Sequence, residues 1–369
     1  MKHSLQAFPR FAGRVVIAFA AVCALFAPCL AARAAPAPGF PEVIRIGVAE
    51  PGGGEPLNLG NSWLSVTRDR HALEDAFKAD GVRVEWLFFK GAGPAVNEAL
   101  SNQQIDFAYQ GDLPSIVGRA NGLKTRILIE GTKRTNTYVA VPRDSTLASI
   151  EQLKGQRVSI FRGTNMHIAA DNILAAHQLS ERDLKVINLD TGSAQAALVS
   201  HGVDAAFGGI EYFKLRDDGL IKIIYATKGD SPALTRQAHL LALDEFVQKY
   251  PRAVQRVVDV SVQTARWASD EANREELYRI WAKTGVPLTT WRAEFDGQPL
   301  ALRQSPLIDD FIIARYKAVA ADALKLKLIR QPVSIDGWFD ASFLQKALAQ
   351  QGLEHYWTRY DATGAAQGK

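Results

Sequence analysis

Cysteine is nearly absent from this chain of 369 residues, in which only Cys23 and Cys29 occur. Both lie in the N-terminal segment 1–35, which we predict to be removed as a signal peptide. The mature protein would then hold no cysteine, and this excludes disulfides, thiolate metal sites and a cysteine nucleophile. A lipoprotein anchored through Cys29 is the alternative, although the preceding residues 26–28 suit a lipid-attachment site poorly.

The segment 1–35 has the three parts of an export signal. Basic residues precede an apolar run at 15–31, and small residues follow it, so cleavage is expected after Ala34 or Ala35. The apolar run is short for a membrane span, and an uncleaved anchor helix is the less favoured alternative. The sequence therefore predicts an exported protein.

An excess of charge of one sign is also lacking. The whole chain has 43 Lys and Arg against 39 Asp and Glu. Four of the basic residues and none of the acidic ones lie in 1–34, so the rest of the chain carries 39 of each sign. A neutral mature chain gives no reason to expect nucleic acid or a charged membrane surface as a partner.

Catalytic signatures are missing as well. The chain contains no G-x-S-x-G elbow, no P-loop and no H-E-x-x-H motif. The glycines at 52–54 lack the spacing of a dinucleotide-binding loop. We expect His167, His177, His201 and His239 to be surface or packing residues rather than ligands. The sequence therefore predicts a protein that is not an enzyme and has no cofactor and no metal.

Short apolar β runs alternate with amphipathic helices along most of the chain. From Val43 to about 131 this alternation predicts a mostly parallel sheet covered by helices. The pattern restarts in a second α/β unit at about 136–230, whose last strand is predicted at 221–227. Beyond about residue 240 the pattern is helical, and we expect these helices to pack on the first unit.

This order of elements predicts two α/β lobes, between which the chain crosses twice, near residues 132–138 and 228–242. Lobe 1 is predicted to be discontinuous, with residues 36–135 and 240–369, and lobe 2 to span 136–239. A cleft between two domains, at the carboxyl ends of parallel strands, is the usual position of a small ligand. The sequence therefore predicts a binding cleft between the lobes.

Three segments resemble the nitrate/sulfonate/taurine family of periplasmic solute-binding proteins of ABC transporters. Residues 91–122, GAGPAVNEALSNQQIDFAYQGDLPSIVGRANG, are similar to its first-lobe signature. Residues 138–165 resemble its second-lobe strand, I-x-x-L-K-G helix and Gly-Ser/Thr turn. Residues 203–213 stand where the family has a V-D-A-W strand followed by an acidic residue. The resemblance covers about 43–340 and is greatest to the aliphatic sulfonate-binding branch.

The resemblance implies a type II periplasmic binding protein fold, with two lobes joined by two hinge crossovers and C-terminal helices that pack on the first lobe. It further implies a monomer in the periplasm that captures a small organic anion, such as an aliphatic sulfonate or a taurine-like molecule, and docks on a membrane permease. Nitrate or another small metabolite remains an alternative, because Ile210-Glu211-Tyr212 replaces the Trp-Asp-Pro of sulfonate binders and loop 50–66 is long and rich in glycine. Thiamine-pyrimidine biosynthesis enzymes share the fold, but their chemistry needs a cysteine-rich site.

Candidate contacts in lobe 1 follow from the same resemblance. Gly111 and Asp112 fall on the loop that contributes to the cleft, and Gln110, at the end of the preceding strand, can donate its amide to the ligand. Asp112 is awkward beside an anion, and we expect it to cap the following helix, which has Pro114 in its first turn. Trp63 can cover the cleft with an aromatic face or be a buried residue of a packed lobe.

The candidate contacts in lobe 2 lie at a strand, a glycine turn and a helix start. Backbone N–H groups and the positive end of a helix dipole bind anions, and Gly163 would let the backbone approach one. Thr164 can cap the helix or give its hydroxyl to the anion, and Asn165 can add an amide donor. Arg162 can grip an oxyanion or be a surface residue. Glu211 can accept from a ligand amine or hydroxyl, or be a structural carboxylate near the hinge.

Overall fold

The computed structural model of the protein describes residues 36–49 and 59–367. The predicted signal peptide and most of the predicted loop 50–66 lie outside the described residues. Within the described ranges, no helix is long and apolar enough to cross a membrane.

The described chain forms two mixed five-stranded sheets, with strand orders β2-β1-β3-β10-β4 and β7-β6-β8-β5-β9. The strands are β1 (Val43–Val48), β2 (Arg83–Phe88), β3 (Phe107–Gly111), β4 (Thr125–Thr135), β5 (Tyr138–Pro142), β6 (Arg157–Ser159), β7 (Lys185–Ile187), β8 (Ala205–Gly208), β9 (Ile221–Ala226) and β10 (Arg236–Leu243). We keep the name lobe 1 for the first sheet and the helices packed on it, and lobe 2 for the second.

Helices cover both sheets. They are α1 (Trp63–Asp69), α2 (Ala72–Lys78), α3 (Ala92–Ser101), α4 (Asp112–Ala120), α5 (Asn165–Ala176), α6 (Thr191–Val199), α7 (Tyr212–Asp217), α8 (Asp244–Lys249), α9 (Pro251–Ala268), α10 (Arg274–Ala282), α11 (Leu288–Phe295), α12 (Leu300–Arg303), α13 (Asp310–Lys325) and α14 (Ser342–Gln351). The predicted α/β fold class is confirmed.

Three strands of each sheet are parallel, as the strand–helix alternation predicts. In lobe 1, β1 pairs in parallel with β2 and β3, and in lobe 2, β6 pairs in parallel with β7 and β8. Alternate β1 side chains, Ile44, Ile46 and Val48, are fully buried. Since such strands are covered by helices on both faces, their carboxyl ends are left at one edge where a ligand can approach.

Strand β10 was missed by the sequence prediction, which ended the β pattern at 221–227 and placed 228–242 in a crossover. The segment RQAHLLAL instead runs antiparallel between β3 and β4 in the first sheet. It has no β-branched residue and no polar–apolar alternation, because Leu240, Leu241 and Ala242 are all buried. Tertiary pairing decides its conformation, and the predicted lobe boundary between residues 239 and 240 falls inside this strand.

The chain passes between the sheets at two adjacent connections. Residues 136–137 join β4 to β5, and residues 227–235 join β9 to β10. Thr137 and Thr227 hold them side by side: the Thr137 N–H donates to Thr227 Oγ1 at 2.9 Å, and the Thr227 N–H donates to Thr137 O at 3.0 Å. The predicted double crossover is thus a compact pair of connections.

The C-terminal helices pack on lobe 1, as predicted. Helix α9 begins at Pro251, which suits the first turn of a helix and separates it from α8. Its Val257 and Val258 are fully buried in the core that also contains β1 and α1. The indole of Trp281 in α10 donates to Ser65 Oγ at 2.8 Å, which ties α10 to α1.

Candidate ligand-binding site between the two lobes

A cavity of about 550 Å³ lies between the two lobes, at the carboxyl ends of parallel strands. Both lobes and the segment before α11 contribute to its wall. Among the lining residues are Asn61, Gln110, Gly111, Phe161, Thr164, Asn165, Leu189, Gly209, Ile210, Glu211, Leu215, Arg236, Val286 and Trp291. Of the nine predicted contacts, the wall includes Gln110, Gly111, Thr164, Asn165 and Glu211.

The two predicted turns meet across this cavity. A Cβ on Gly111 would lie 2.6 Å from the Cβ of Asn165, so only glycine permits the approach of β3 to the start of α5. The Asn165 side-chain amide donates to Gln237 O at 3.4 Å, which is a second contact between the lobes. The lobes therefore touch on one side of the cavity.

Thr164 is the N-cap residue of α5. Its Oγ1 accepts from the Met166 N–H at 3.2 Å and donates to Phe161 O at 2.7 Å. Since a hydroxyl has a single hydrogen, this donation leaves none for a ligand. Of the two predicted roles for Thr164, the capping role is the one that the hydrogen bonds support.

Arg162 and Gly163 do not line the cavity, which corrects their predicted place in the site. The Arg162 side chain is 47% exposed and forms an ion pair with Glu181, because that carboxylate lies on the outer side of the turn. The Gly163 N–H donates to His167 Nδ1 at 3.2 Å. The guanidinium and the N–H that were expected to hold an anion are both engaged elsewhere.

His167, Asp171 and Glu181 form the one cluster of possible metal ligands found among the described residues. Because His167 Nδ1 accepts from the Gly163 N–H, the neutral imidazole carries its proton on Nε2. That Nε2–H donates to Glu181 Oε1 at 2.8 Å. A metal would need the Nε2 lone pair. The hydrogen bonds therefore favour a His167–Glu181 hydrogen bond over a metal site.

Gln110 lines the cavity and uses one hydrogen of its side-chain NH₂ group in a bond to Asn97. Asn97 Nδ2 donates to the backbone oxygen of Pro114 at 2.7 Å, which leaves Asn97 Oδ1 as an acceptor. Gln110 Nε2 donates to this oxygen at 3.1 Å. Gln110 Oε1 is buried and has no hydrogen-bond partner among the described residues. The NH₂ group carries two hydrogens and the bond to Asn97 uses one of them, so the predicted donation to a ligand does not require that bond to break.

Asp112 is buried behind the cavity wall, at 3% exposure, and does not line it. It is the first residue of α4, whose N-cap is Gly111, and its Oδ1 accepts from the Leu113 N–H at 2.7 Å. This is a helix-start role close to the predicted cap, and it removes Asp112 from the ligand contacts. Burial raises the pKa of Asp112 from 3.8 to about 6, against the opposing effects of the Leu113 N–H and Arg315.

The raised pKa of Asp112 predicts a loss of stability as the pH rises. The folded protein binds this proton more tightly than the unfolded chain, so the stabilisation is complete below about pH 4 and is lost as the pH passes about 6. The full effect is about 3 kcal/mol. We expect urea denaturation from about pH 4 to pH 8 to show this decline in the wild type and a smaller one in Asp112→Asn. Parallel pH curves for the two proteins would contradict it.

Trp63 is fully buried and does not line the cavity, which corrects its predicted place as a cover for the cleft. It begins α1, and its Nε1 donates to Glu130 O at 3.1 Å. Of the two alternatives, a buried tryptophan of a packed lobe is therefore the one observed. The cavity receives its tryptophan from α11 instead, since Trp291 lines the wall.

Arg236 is the functional candidate that the sequence prediction missed. It lies at the start of β10, is partly buried and lines the cavity. Its Nη2 donates to Asn136 O at 2.7 Å and its Nε donates to Thr137 Oγ1 at 3.1 Å. Both bonds are to the first crossover. Among the described residues, Arg236 Nη1 makes no hydrogen bond, and the guanidinium has no ion pair within 4.0 Å.

Several carboxylates lie near Arg236, but none among the described residues forms an ion pair with it. Burial lowers the pKa of Arg236, and the carboxylates of Glu211, Glu294 and Asp112 oppose this shift. Glu211 lines the cavity, and its Oε1 accepts from the Gly209 N–H at 2.6 Å. The cavity thus offers a guanidinium with free N–H groups beside a carboxylate that is already hydrogen-bonded.

The chain belongs to the NMT1/THI5-like family, whose model matches residues 75–274, more than half of its length. A relative from Bacillus subtilis (strain 168) carries the provisional name aliphatic sulfonates-binding protein. It is 24% identical over 293 residues, which are 78% of this chain and 86% of the relative.

Solved structures agree with this assignment. The periplasmic sulfonate-binding protein SsuA of Methylobacillus flagellatus KT, assigned to a sulfonate ABC transporter, is 27% identical with a TM-score of 0.74, over 86% of this chain and 97% of that one. The alkanesulfonate-binding protein SsuA of Xanthomonas axonopodis pv. citri, bound to MOPS, is 22% identical with a TM-score of 0.69, over 82% and 99%. The predicted resemblance and the periplasmic binding protein fold are both confirmed.

Proposed function

We propose that this protein is the periplasmic solute-binding component of an ABC importer and that it captures a small organic anion, an aliphatic sulfonate or a taurine-like molecule, between its lobes. The names of the relatives support the transport role. The observation that carries the choice of an anion is Arg236, which lines the cavity, has N–H groups to spare and has no ion-pair partner among the described residues. A guanidinium in this state favours an oxyanion, with which it forms short charge-assisted hydrogen bonds.

The other candidate contacts complete the proposed site. Gly111 and Asn165 lie where the lobes meet, so an anion at this position would be held from both sides. Glu211 would accept from an amine or a hydroxyl on the ligand, as in a taurine-like molecule. Thr164 would contribute shape more than hydrogen bonds, because its one hydroxyl hydrogen is engaged within the protein, whereas Gln110 would donate the second hydrogen of its NH₂ group.

Closure of the lobes would trap the ligand. Residues 136–137 and 227–235 are the only chain connections between the two sheets in the described ranges, and they are where a hinge would act. Arg236 hydrogen-bonds the first of these connections and lines the cavity as well. A ligand bound to Arg236 would therefore stabilise the arrangement of the crossovers in which the guanidinium faces the cavity. In the proposed mechanism this is the closed form, so binding would shift the population toward it. The importer's permease would then separate the lobes.

An enzyme related to the thiamine-pyrimidine synthases remains the alternative from a different class. The part of the cavity wall that the structure describes contains neither histidine nor cysteine, the usual bases and nucleophiles. Beyond the predicted signal peptide the sequence has no cysteine at all. Both observations favour binding over catalysis.

Native mass spectrometry of the protein isolated from its own periplasm tests the proposal most directly. We expect a protein that begins after Ala34 or Ala35, is monomeric and retains an anionic ligand. Isothermal titration of the ligand-free protein with alkanesulfonates, taurine and nitrate then identifies the class, with dimethyl sulfone as the uncharged control. Binding of the sulfone as tightly as of the sulfonates would contradict the anion site, and failure of every anion would remove the sulfonate assignment.

A further inference from the structure

Strand β4 contains a β-bulge just before the first crossover. The register of its pairing with β10 shifts here, so that residues 133–134 stand opposite Gln237 alone. Arg134 has a φ of 53°, in the left-handed region that residues with a Cβ rarely adopt. Among the described residues it is the only non-glycine residue with such a φ inside a strand. A backbone in this state persists only where the surrounding structure holds it.

The Arg134 side chain is bound by the start of α13 and by a C-terminal segment, residues 359–367. Its guanidinium lies over the ring of Phe311 in α13, 4.9 Å from the ring centre, and over the ring of Tyr360, at 4.5 Å. Its Nη2 donates to Gly364 O at 2.8 Å. A Cβ on Gly364, whose φ is 90°, would lie 3.2 Å from this Nη2, so glycine suits the close approach. Two aromatic rings and a carbonyl oxygen thus fix the guanidinium.

The C-terminal segment is itself tied to the start of α13. The Phe311 N–H donates to Tyr360 O at 3.2 Å, and Gln367 Nε2 donates to Asp310 Oδ2 at 2.9 Å. The Gln367 N–H donates to Arg359 O at 2.9 Å, which folds the segment back on itself. Arg134 therefore contacts a segment whose own position is set by hydrogen bonds.

The bulge lies beside the groups that orient Arg236. The Arg134 N–H donates to Gln237 Oε1 at 3.1 Å, and Gln237 follows Arg236 directly in β10. Two and three residues beyond Arg134, Asn136 and Thr137 accept the two hydrogen bonds of the Arg236 guanidinium. The path of the backbone at Arg134 therefore influences where these two acceptors lie.

We propose that Arg134 is a positioning residue for the anion site and that the C-terminal segment 359–367 is its anchor. Arg134 does not line the cavity. While its guanidinium is anchored, the left-handed backbone of the bulge stays in place and residues 136–137 hold Arg236 toward the cavity. Without the anchor, the backbone relaxes to a negative φ and displaces the first crossover. This inference rests on the proposed function, because the property it affects is the affinity of Arg236 for an anion.

Two substitutions of Arg134 separate the anchor from the backbone strain. Isothermal titration uses whichever of ethanesulfonate, taurine and nitrate binds the wild type most tightly. Arg134→Ala loses the anchor and keeps the unfavourable φ, so it is expected to weaken binding roughly fivefold. Arg134→Gly also loses the anchor, but glycine adopts this φ without strain, so it is expected to recover most of the affinity. Wild-type affinity in a folded Arg134→Ala protein, or Arg134→Gly binding no more tightly than Arg134→Ala, would overturn the inference.

A matched pair of tyrosine substitutions tests the C-terminal segment. Tyr360→Leu removes a ring that the Arg134 guanidinium covers, and it is expected to weaken binding as Arg134→Ala does. Tyr356→Leu removes a ring that Arg266 of α9 covers at 4.0 Å instead, and it is expected to leave the affinity unchanged. Equal affinities for the two variants, both folded by circular dichroism, would show that the segment does not act on the site.

A double substitution shows whether Arg134 acts through Arg236. In an Arg236→Met background the guanidinium that Arg134 positions is gone, so adding Arg134→Ala is expected to weaken binding little further. The same loss of affinity in both backgrounds would contradict a positioning role.

Hydrogen exchange at the Thr137 N–H reports on the crossover without any ligand and separates this inference from the proposed function. This N–H donates to Thr227 Oγ1 at 2.9 Å, and its exchange is expected to be faster in Arg134→Ala than in Arg134→Gly or the wild type. If exchange changes in this way but no anion binds the wild type, the proposed function fails and the effect of Arg134 on the crossover stands. If an anion binds and Arg134→Ala alters neither exchange nor affinity, the proposed function stands and this inference fails.

Discussion

Replacement of Arg236 by methionine is expected to weaken binding of an alkanesulfonate by roughly 10- to 150-fold. The substitution keeps a long side chain of similar reach and removes the guanidinium that lines the cavity. Hydrogen bonds to a charged partner contribute about 1.5 to 3 kcal/mol each. Among the described lining residues, Arg236 is the one partly buried cation, since Lys214 is exposed. Isothermal titration of the purified protein measures the change.

Two controls make this result specific. Arg162→Met removes the guanidinium that the sequence analysis nominated, which is 47% exposed and paired with Glu181. We expect it to bind as the wild type does. Arg236→Lys keeps the charge without the planar fork and is expected to lie between the two. If Arg162→Met weakens binding as much as Arg236→Met, the cation in the site has been misassigned.

Because Arg236 also hydrogen-bonds Asn136 and Thr137, thermal unfolding must accompany the titration. A folded Arg236→Met protein that binds at wild-type affinity would remove the main support for an anion site.

The second large effect is expected on stability, from Glu294→Ala. Glu294 and Arg303 are each 1% exposed and form a buried ion pair, with Arg303 Nη2 donating to Glu294 Oε1 at 3.2 Å. Asn136 Nδ2 donates to the same oxygen at 2.8 Å, and the Tyr138 hydroxyl donates to Oε2. Removing one partner of a buried pair leaves an uncompensated charge. We expect the free energy of unfolding to fall by about 3 to 5 kcal/mol in urea denaturation.

A double substitution distinguishes a buried charge from simple loss of packing. Glu294→Leu combined with Arg303→Met removes both charges, and we expect it to recover most of the stability lost in Glu294→Ala. Glu275→Ala serves as the surface control, since its ion pair with Arg292 is about half exposed on both sides, and it is expected to change stability little. A double variant less stable than Glu294→Ala would show that loss of the hydrogen-bond network, and not the uncompensated Arg303 charge, causes the loss of stability.

The Glu294 network also has a place in the proposed mechanism. It ties α11, which contributes Trp291 to the cavity wall, to Asn136 of the first crossover and Tyr138 just beyond it. A C-terminal helix thereby contacts both the hinge region and the cavity.

Most of the elements that lie at the cavity follow from local patterns. The runs at 43–49, 82–89 and 105–110 form β1, β2 and β3 within one or two residues at either end, because apolar β runs bounded by glycine and polar turns are local signals. The turn at 162–165 likewise precedes a helix with Thr164 as its cap. Local hydrogen bonding decides these features, and the sequence displays it directly.

Strand β10 and helix α11 could not be read in the same way. RQAHLLAL has helix-forming residues, yet it becomes a strand because β3 and β4 leave a place for it between them. LTTWRAEF has a weak pattern of its own and is held by long-range contacts, such as that of Glu294 with Asn136. Missing β10 also meant missing Arg236.

By itself, the sequence determined the alternation of strands and helices, the two-lobed fold and the two glycine turns that meet at the cavity. These depend on local periodicity and on backbone conformations that particular residues favour. Only the tertiary structure decided which arginine lies in the cavity. Arg162 is drawn outward by Glu181, whereas Arg236 is brought inward by strand pairing and the first crossover. The direction of a long charged side chain depends on partners far away in the chain, so no local pattern can supply it.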